Sequence, residues 1–141
     1  MSLIRVGVPA RNWQDAIFAA GELLVDAGHA NSEYVEAMVR VVEELGPYIV
    51  LIDGFALAHA TPGDGVIENS ISLVVLENAV DFGSGKMVTC VFALAAKDHS
   101  SHIEALGRLA EILSDEQSRN SLLNARHSVH IESLLAGVLG E

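Results

Sequence analysis

Two apolar runs, Ile71-Ser72-Leu73-Val74-Val75-Leu76 and Met87 through Ala95, stand on either side of a Gly83-Ser84-Gly85-Lys86 turn. Their length suits strands, and neither alternates strictly between apolar and polar residues, so both faces of each strand must be covered. Only helices laid on a sheet do that in a chain of this size. Asn12 caps a first helix with Asp15 at its third position and Ala16, Ile17, Ala20, Leu24 and Ala27 at helical spacing, stopped by Gly28. A second starts from a cap at Asn31 or Ser32, carries Glu33 and Glu36 in its first turns, and runs through Val35, Met38, Val39 and Val42 to Gly46, with Pro47 following. Two helices are therefore expected before the first strand.

Tyr48-Ile49-Val50-Leu51-Ile52, ended by Asp53-Gly54, and Phe55-Ala56-Leu57-Ala58, ending at His59, read as two short strands. Thr61-Pro62-Gly63-Asp64-Gly65 is a loop. Ser101 and Glu104 form a capping box ahead of Ile103, Leu106, Ala110 and Leu113. Ser114 and Gln117 repeat that signal for a short helix, and a last helix is expected from Val129 to Leu139. Helices, then mixed strands, then helices describe an α/β layered domain rather than a bundle. With 141 residues, one domain spanning 1–141 is expected.

Half the residues are hydrophobic and 19% charged, which excludes intrinsic disorder. A formal net charge of −11 disfavours nucleic acid and anionic membrane surfaces as partners. Cys90 has no second cysteine to pair with and sits in an apolar run, so a buried, inert thiol in a reducing cytoplasm is expected. No run approaches the roughly 18 apolar residues of a spanning helix, and the opening residues lack a secretory signal, so no membrane insertion is expected.

Six histidines carry the chemical interest, because imidazole titrates near neutral pH. His29, His127 and His130 lie at helix ends or in helices beside polar residues and read as solvated or capping groups. His59 differs: it ends an apolar strand and opens a glycine- and proline-containing loop, where α/β folds expose reactive groups. His99 and His102 occupy a second such junction, between a strand and the Ser101 helix. His59, His99 and His102, with Asp98 or Asp64, could ligate a metal, but no HExxH, cysteine pair or paired-carboxylate motif supports one. There is no GxSxG elbow, P-loop or GxGxxG. A phosphoryl group on His59 would meet the free amides at the Ser101 helix N-terminus, with His102 able to hydrogen-bond a phosphoryl oxygen. Neither a metal nor a cofactor is needed for that.

The stretch Gly46-Pro47-Tyr48-Ile49-Val50-Leu51-Ile52-Asp53-Gly54-Phe55-Ala56-Leu57-Ala58-His59-Ala60, followed by Pro62 and Gly65, resembles the active-site signature of enzyme IIA proteins of the bacterial sugar phosphotransferase system (PTS). The likeness is to the mannitol/fructose superfamily, most of all to its ascorbate-type branch. Trp13-Gln14-Asp15-Ala16-Ile17, Tyr34-Val35-Glu36-Ala37-Met38, Val80-Asp81-Phe82-Gly83 and Leu94-Ala95-Ala96-Lys97-Asp98 fall in the family's order. The resemblance implies a mixed β-sheet sandwiched between helical layers. It implies that His59 is the phosphorylated histidine and His102 the histidine supporting the phosphoryl group, with His99 a neighbour.

By the same resemblance, the phosphocarrier HPr is the donor and an enzyme IIB the acceptor, serving a membrane enzyme IIC. A sugar related to ascorbate would be imported. A regulatory phosphohistidine module feeding no transporter is the alternative, and a homologue incapable of transfer is a third reading. Asp53 and Ala58 occupy two positions where the family commonly has proline, which removes a fixed φ before His59. The mannitol branch also has an arginine near the end of the second helix; Arg40 stands close to that place but outside the assigned site.

Overall fold

The computed structural model describes residues 3–125 and 131–132. Its elements run β1 (Ile4–Val8), α1 (Trp13–Asp26), α2 (Ser32–Leu45), β2 (Val50–Ile52), β3 (Gly54–Ala58), β4 (Ser70–Asp81), β5 (Met87–Ala95), α3 (His99–Leu113) and α4 (Glu116–Leu123). The helix expected from Val129 to Leu139 falls outside the described residues, apart from helical Ile131 and Glu132, as do His127 and His130.

The strands form one five-stranded sheet in the order β1-β4-β5-β3-β2. β1 with β4 and β3 with β5 are parallel, while β4 with β5 and β2 with β3 are antiparallel, so the sheet is mixed. Alternation along the strands divides the core between two faces. Ala56, Ala58, Val74, Val91 and Ala93 meet Ile17, Ala20, Leu24, Met38 and Val42 of α1 and α2. Phe55, Leu57, Leu73, Cys90 and Phe92 face Ala105, Leu109 and Leu113 of α3 and Leu122 of α4. The sheet is thus sandwiched between helical layers. Burying each large apolar side chain in these two cores contributes about 1.5–3 kcal/mol. Burial also pushes the Cys90 thiol up to about 12, leaving it protonated and unreactive.

Asn12 and Asn31 cap α1 and α2, accepting from the amides of Asp15 and Tyr34. Three expectations are corrected. β1 precedes the helices: its alternating Ile4, Val6 and Val8 form an edge strand interrupted at Gly7, whose φ of 68° coincides with a register shift against β4. β4 extends past Leu76 to Asp81 because a bulge between Val75 and Val80 lets exposed Glu77-Asn78-Ala79 swing out without ending the strand. The short helix α4 is capped by Asp115, which accepts from the Ser118 amide at 3.0 Å, while Ser114 closes the end of α3 instead.

Candidate functional site

His59 follows directly on β3. Odd-numbered Phe55 and Leu57 point toward α3, and the same alternation carries His59 to that side. Its ring lies 5.2 Å from the His102 ring, centroid to centroid, at an interplanar angle of 52°. The His99 ring lies 6.4 Å from the His102 ring, nearly parallel to it at 13°. Three imidazoles, one following β3 and two from the first turn of α3, therefore come together, with His102 the neighbour of both others. Among the described residues, no group of three or more His, Cys, Asp or Glu side chains converges as metal ligands.

His59 Nδ1 lies 3.0 Å from the Leu57 carbonyl oxygen. A carbonyl only accepts, so Nδ1 carries the proton and donates it, and the lone pair of the neutral ring is on Nε2. His102 is half-buried, and its pKa is lowered below the ordinary imidazole value. Burial is the largest cause, followed by the charges of His59 and His99. His102 is accordingly neutral at pH 7.

The expected cap at Ser101 is corrected. α3 begins three residues earlier, with Asp98 as its cap in extended backbone, accepting from the Ser101 amide at 2.7 Å. That amide foremost, then the Ser101 hydroxyl, holds the Asp98 carboxyl below the usual range. Glu104 does not reach back to complete a capping box, since its carboxylate pairs with Arg108 one turn on at 2.6 Å. The Ser101 hydroxyl accepts from the Asn69 side chain at 3.2 Å. The Ser101 amide and hydroxyl are thus engaged by Asp98 and Asn69, and the His102 amide by the Asp98 carbonyl at 3.1 Å. What the first turn presents to His59 is the His102 ring.

The loop leaving His59 is sewn to the α3 junction. The Gly63 amide donates to the Ala96 carbonyl at 2.9 Å, and the Lys97 amide to Asn69 Oδ1 at 2.7 Å. At its other end, the Ile67 and Glu68 amides donate to the His29 carbonyl. The His29 ring bonds Ser70 Oγ at 2.8 Å and pairs with Glu68 at 3.3 Å, which gives this histidine a structural tie. At Ala58, where the resemblance leads proline to be expected, strand pairing holds the backbone. β3 lies between β2 and β5, and buried Ala58 is in register with Ala93, so the ladder sets the backbone up to His59.

Tyr34 gave no local sign of its place here. Its hydroxyl donates to the Leu94 carbonyl at 2.6 Å and accepts from the Ala60 amide at 3.2 Å, joining α2 to β5 and to the residue after His59. Burial raises the Tyr34 pKa, opposed by the Ala60 amide, so the phenol stays protonated as that donor. Arg40 also enters the picture, lining with Tyr34, Ala60, Thr61 and Asp64 a cleft of about 290 Å³ beside this loop. Tyr34→Phe is expected to leave Ala60 N–H and Leu94 C=O without their side-chain partner. The loss should be about 1–2 kcal/mol of stability, read from the urea midpoint.

With this geometry in view, the chain matches the family model described as phosphoenolpyruvate-dependent sugar phosphotransferase system, EIIA 2, over residues 1–137. It is 32% identical to the mannitol-specific cryptic phosphotransferase enzyme IIA component of Escherichia coli K12, over 96% of this chain and 92% of that protein. It is 30% identical to the ascorbate-specific PTS system EIIA component of Shigella boydii, over 94% of this chain and 88% of that one. The enzyme IIAMtl structure from Escherichia coli, solved by NMR in complex with phosphorylated enzyme IIBMtl, superposes with a TM-score of 0.84. The two are 30% identical, and the match covers 95% of this chain and 94% of that one.

Proposed function

Since the chain belongs to the EIIA 2 family of the phosphoenolpyruvate-dependent sugar phosphotransferase system, and is thereby a phosphotransferase component, we propose that His59 is its phosphoacceptor and His102 the partner that supports the phosphoryl group. The observation that carries this is the Nδ1–H bond from His59 to the Leu57 carbonyl. It holds the ring in one tautomer with the lone pair on Nε2, while a second imidazole lies 5.2 Å away, ring centre to ring centre. In the transfer, the Nε2–P bond forms as the bond from phosphorus to the donor's nitrogen breaks, and the proton stays on Nδ1, hydrogen-bonded to the Leu57 carbonyl. His102, neutral before the reaction, can donate a hydrogen bond to a phosphoryl oxygen and take up a proton as negative charge arrives.

The donor is phosphorylated HPr and the acceptor a cognate enzyme IIB, which serves a membrane enzyme IIC. The complex of a 30%-identical relative with its phosphorylated IIB supports that acceptor. A net charge of −11 suits a partner with a basic face. The ascorbate-specific relative supports a sugar acid of that type as the transported substrate. Among the described residues, no helix is long and apolar enough to cross a membrane, which accords with a cytoplasmic carrier between two proteins.

The test is intact mass after incubation with phosphoenolpyruvate, enzyme I and HPr. The expected result is a gain of one phosphoryl group, acid-labile, with NMR placing phosphorus on Nε2. The label should then be lost on addition of the cognate IIB. No gain in the wild-type protein would overturn the carrier reading, and phosphorus on Nδ1 would overturn the tautomer argument.

A further inference from the structure

We infer that His99 is a positioning residue of this site, acting on the His59 chemistry through the His102 ring on which it stacks. The inference rests on the proposed roles of His59 and His102 and adds a residue to them. Its basis is the earlier start of α3. With Asp98 as the cap, His99 is the first helical residue and His102 lies three positions on, so both rings share one face of the first turn. They lie nearly parallel, with centroids 6.4 Å apart, and the His59 ring lies 5.2 Å from His102. His102 thus has two other imidazoles as ring neighbours.

Two consequences follow from that placement. A flat ring against one side of His102 restricts its rotation, which keeps its nitrogens oriented toward the phosphoryl position above His59. Whenever His99 is protonated, its positive charge also opposes a second proton on His102, in the same direction as the His59 ring. Among the described residues, the other charged groups around this turn are few. Asp98 is the cap and is engaged with Ser101, and Lys97 precedes it. Asp64 belongs to the loop that Gly63 ties to Ala96, and Glu104 on the next turn of α3 is paired with Arg108. Among the described residues, His59 and His99 are the charges that act on His102.

His99 is exposed, so its replacement leaves the core intact. Two variants separate the ring from its charge: His99→Ala removes both, and His99→Phe keeps a flat ring without a charge. The His102 imidazole is titrated by NMR in the unphosphorylated proteins, a readout that does not depend on His59 being the acceptor. Its midpoint should rise by roughly half a pH unit in both variants, the size expected for one charge at this separation in a water-rich setting. Phosphorylation by HPr, followed by mass, should slow about three- to tenfold in His99→Ala, while His99→Phe stays within about twofold of wild type. A His102 midpoint unmoved in both variants overturns the inference. So does a wild-type rate in His99→Ala, or a His99→Phe no faster than His99→Ala. If the wild-type protein takes up no phosphate, the carrier reading fails first, and the titration still decides whether His99 acts on His102.

Discussion

His59→Ala will take up no phosphate from HPr under conditions that label the wild-type chain completely, a loss of at least about 10³-fold in rate. The loss is absolute in kind because the variant has no atom on which the N–P bond can form. His102→Ala, in contrast, keeps the acceptor and should be slowed by roughly 10- to 100-fold, the scale of losing one hydrogen-bonding and charge-neutralising group at a phosphoryl centre. The comparison is meaningful only if both variants fold. His59 is half-buried, and its ring bonds the carbonyl of Leu57 two residues back, so truncation removes no side-chain hydrogen bond between elements and should leave the melting temperature near that of the wild type. Acid-labile label persisting on His59→Ala would transfer the acceptor role to another histidine, with His102 and His99 the first to map by peptide mass.

The bounds of β5, the cap at Asn12, the start of α2 at Asn31 or Ser32 and the two-faced burial of the central strands were legible because each depends on a local pattern. An uninterrupted apolar run can only be an interior strand in a layered fold, and an asparagine ahead of a helical stripe has one favourable use. β1 was not legible, since its alternation rests on only three apolar residues, Ile4, Val6 and Val8, and its partner β4 lies some seventy positions along, with Ile4 opposite Leu73. At α3 two capping signals competed. Ser101 with Glu104 has the form of a capping box, yet Asp98 also stands three residues ahead of an available amide, and Glu104 finds a better partner in Arg108. That difference of three residues decides whether His99 is a loop residue or part of the helix face that carries His102. The Tyr34 link could not be read at all, because its hydroxyl bonds Ala60 and Leu94, 26 and 60 positions away, and only the fold brings them together.

Gly21→Val is expected to cost about 2–4 kcal/mol of stability, a large share of the 5–15 kcal/mol typical of a small domain. Helix propensity alone argues the other way, since glycine in a helix interior is about 1 kcal/mol worse than alanine. Packing decides the sign. Gly21 lies on the buried side of α1 where α2 comes closest, and a Cβ built there falls 2.5 Å and 2.8 Å from the two γ-carbons of Val35. Real carbon contacts do not occur at that distance, so the helices must separate or Val35 must leave its rotamer, and Val35 is itself only 4% exposed. Separation would spread, because α2 carries Tyr34, the neighbour of Val35, and through it the hydrogen bond to Ala60 beside His59. The variant should therefore lose phosphorylation rate along with stability. Val35→Ala removes both offending γ-carbons, and Gly21→Val combined with Val35→Ala exchanges volume across the same contact. If the clash is the cause, the double variant recovers about half or more of the lost urea midpoint, and the coupling energy between the two sites is favourable. If the two penalties simply add, the cost of Gly21→Val lies elsewhere than in the contact with Val35.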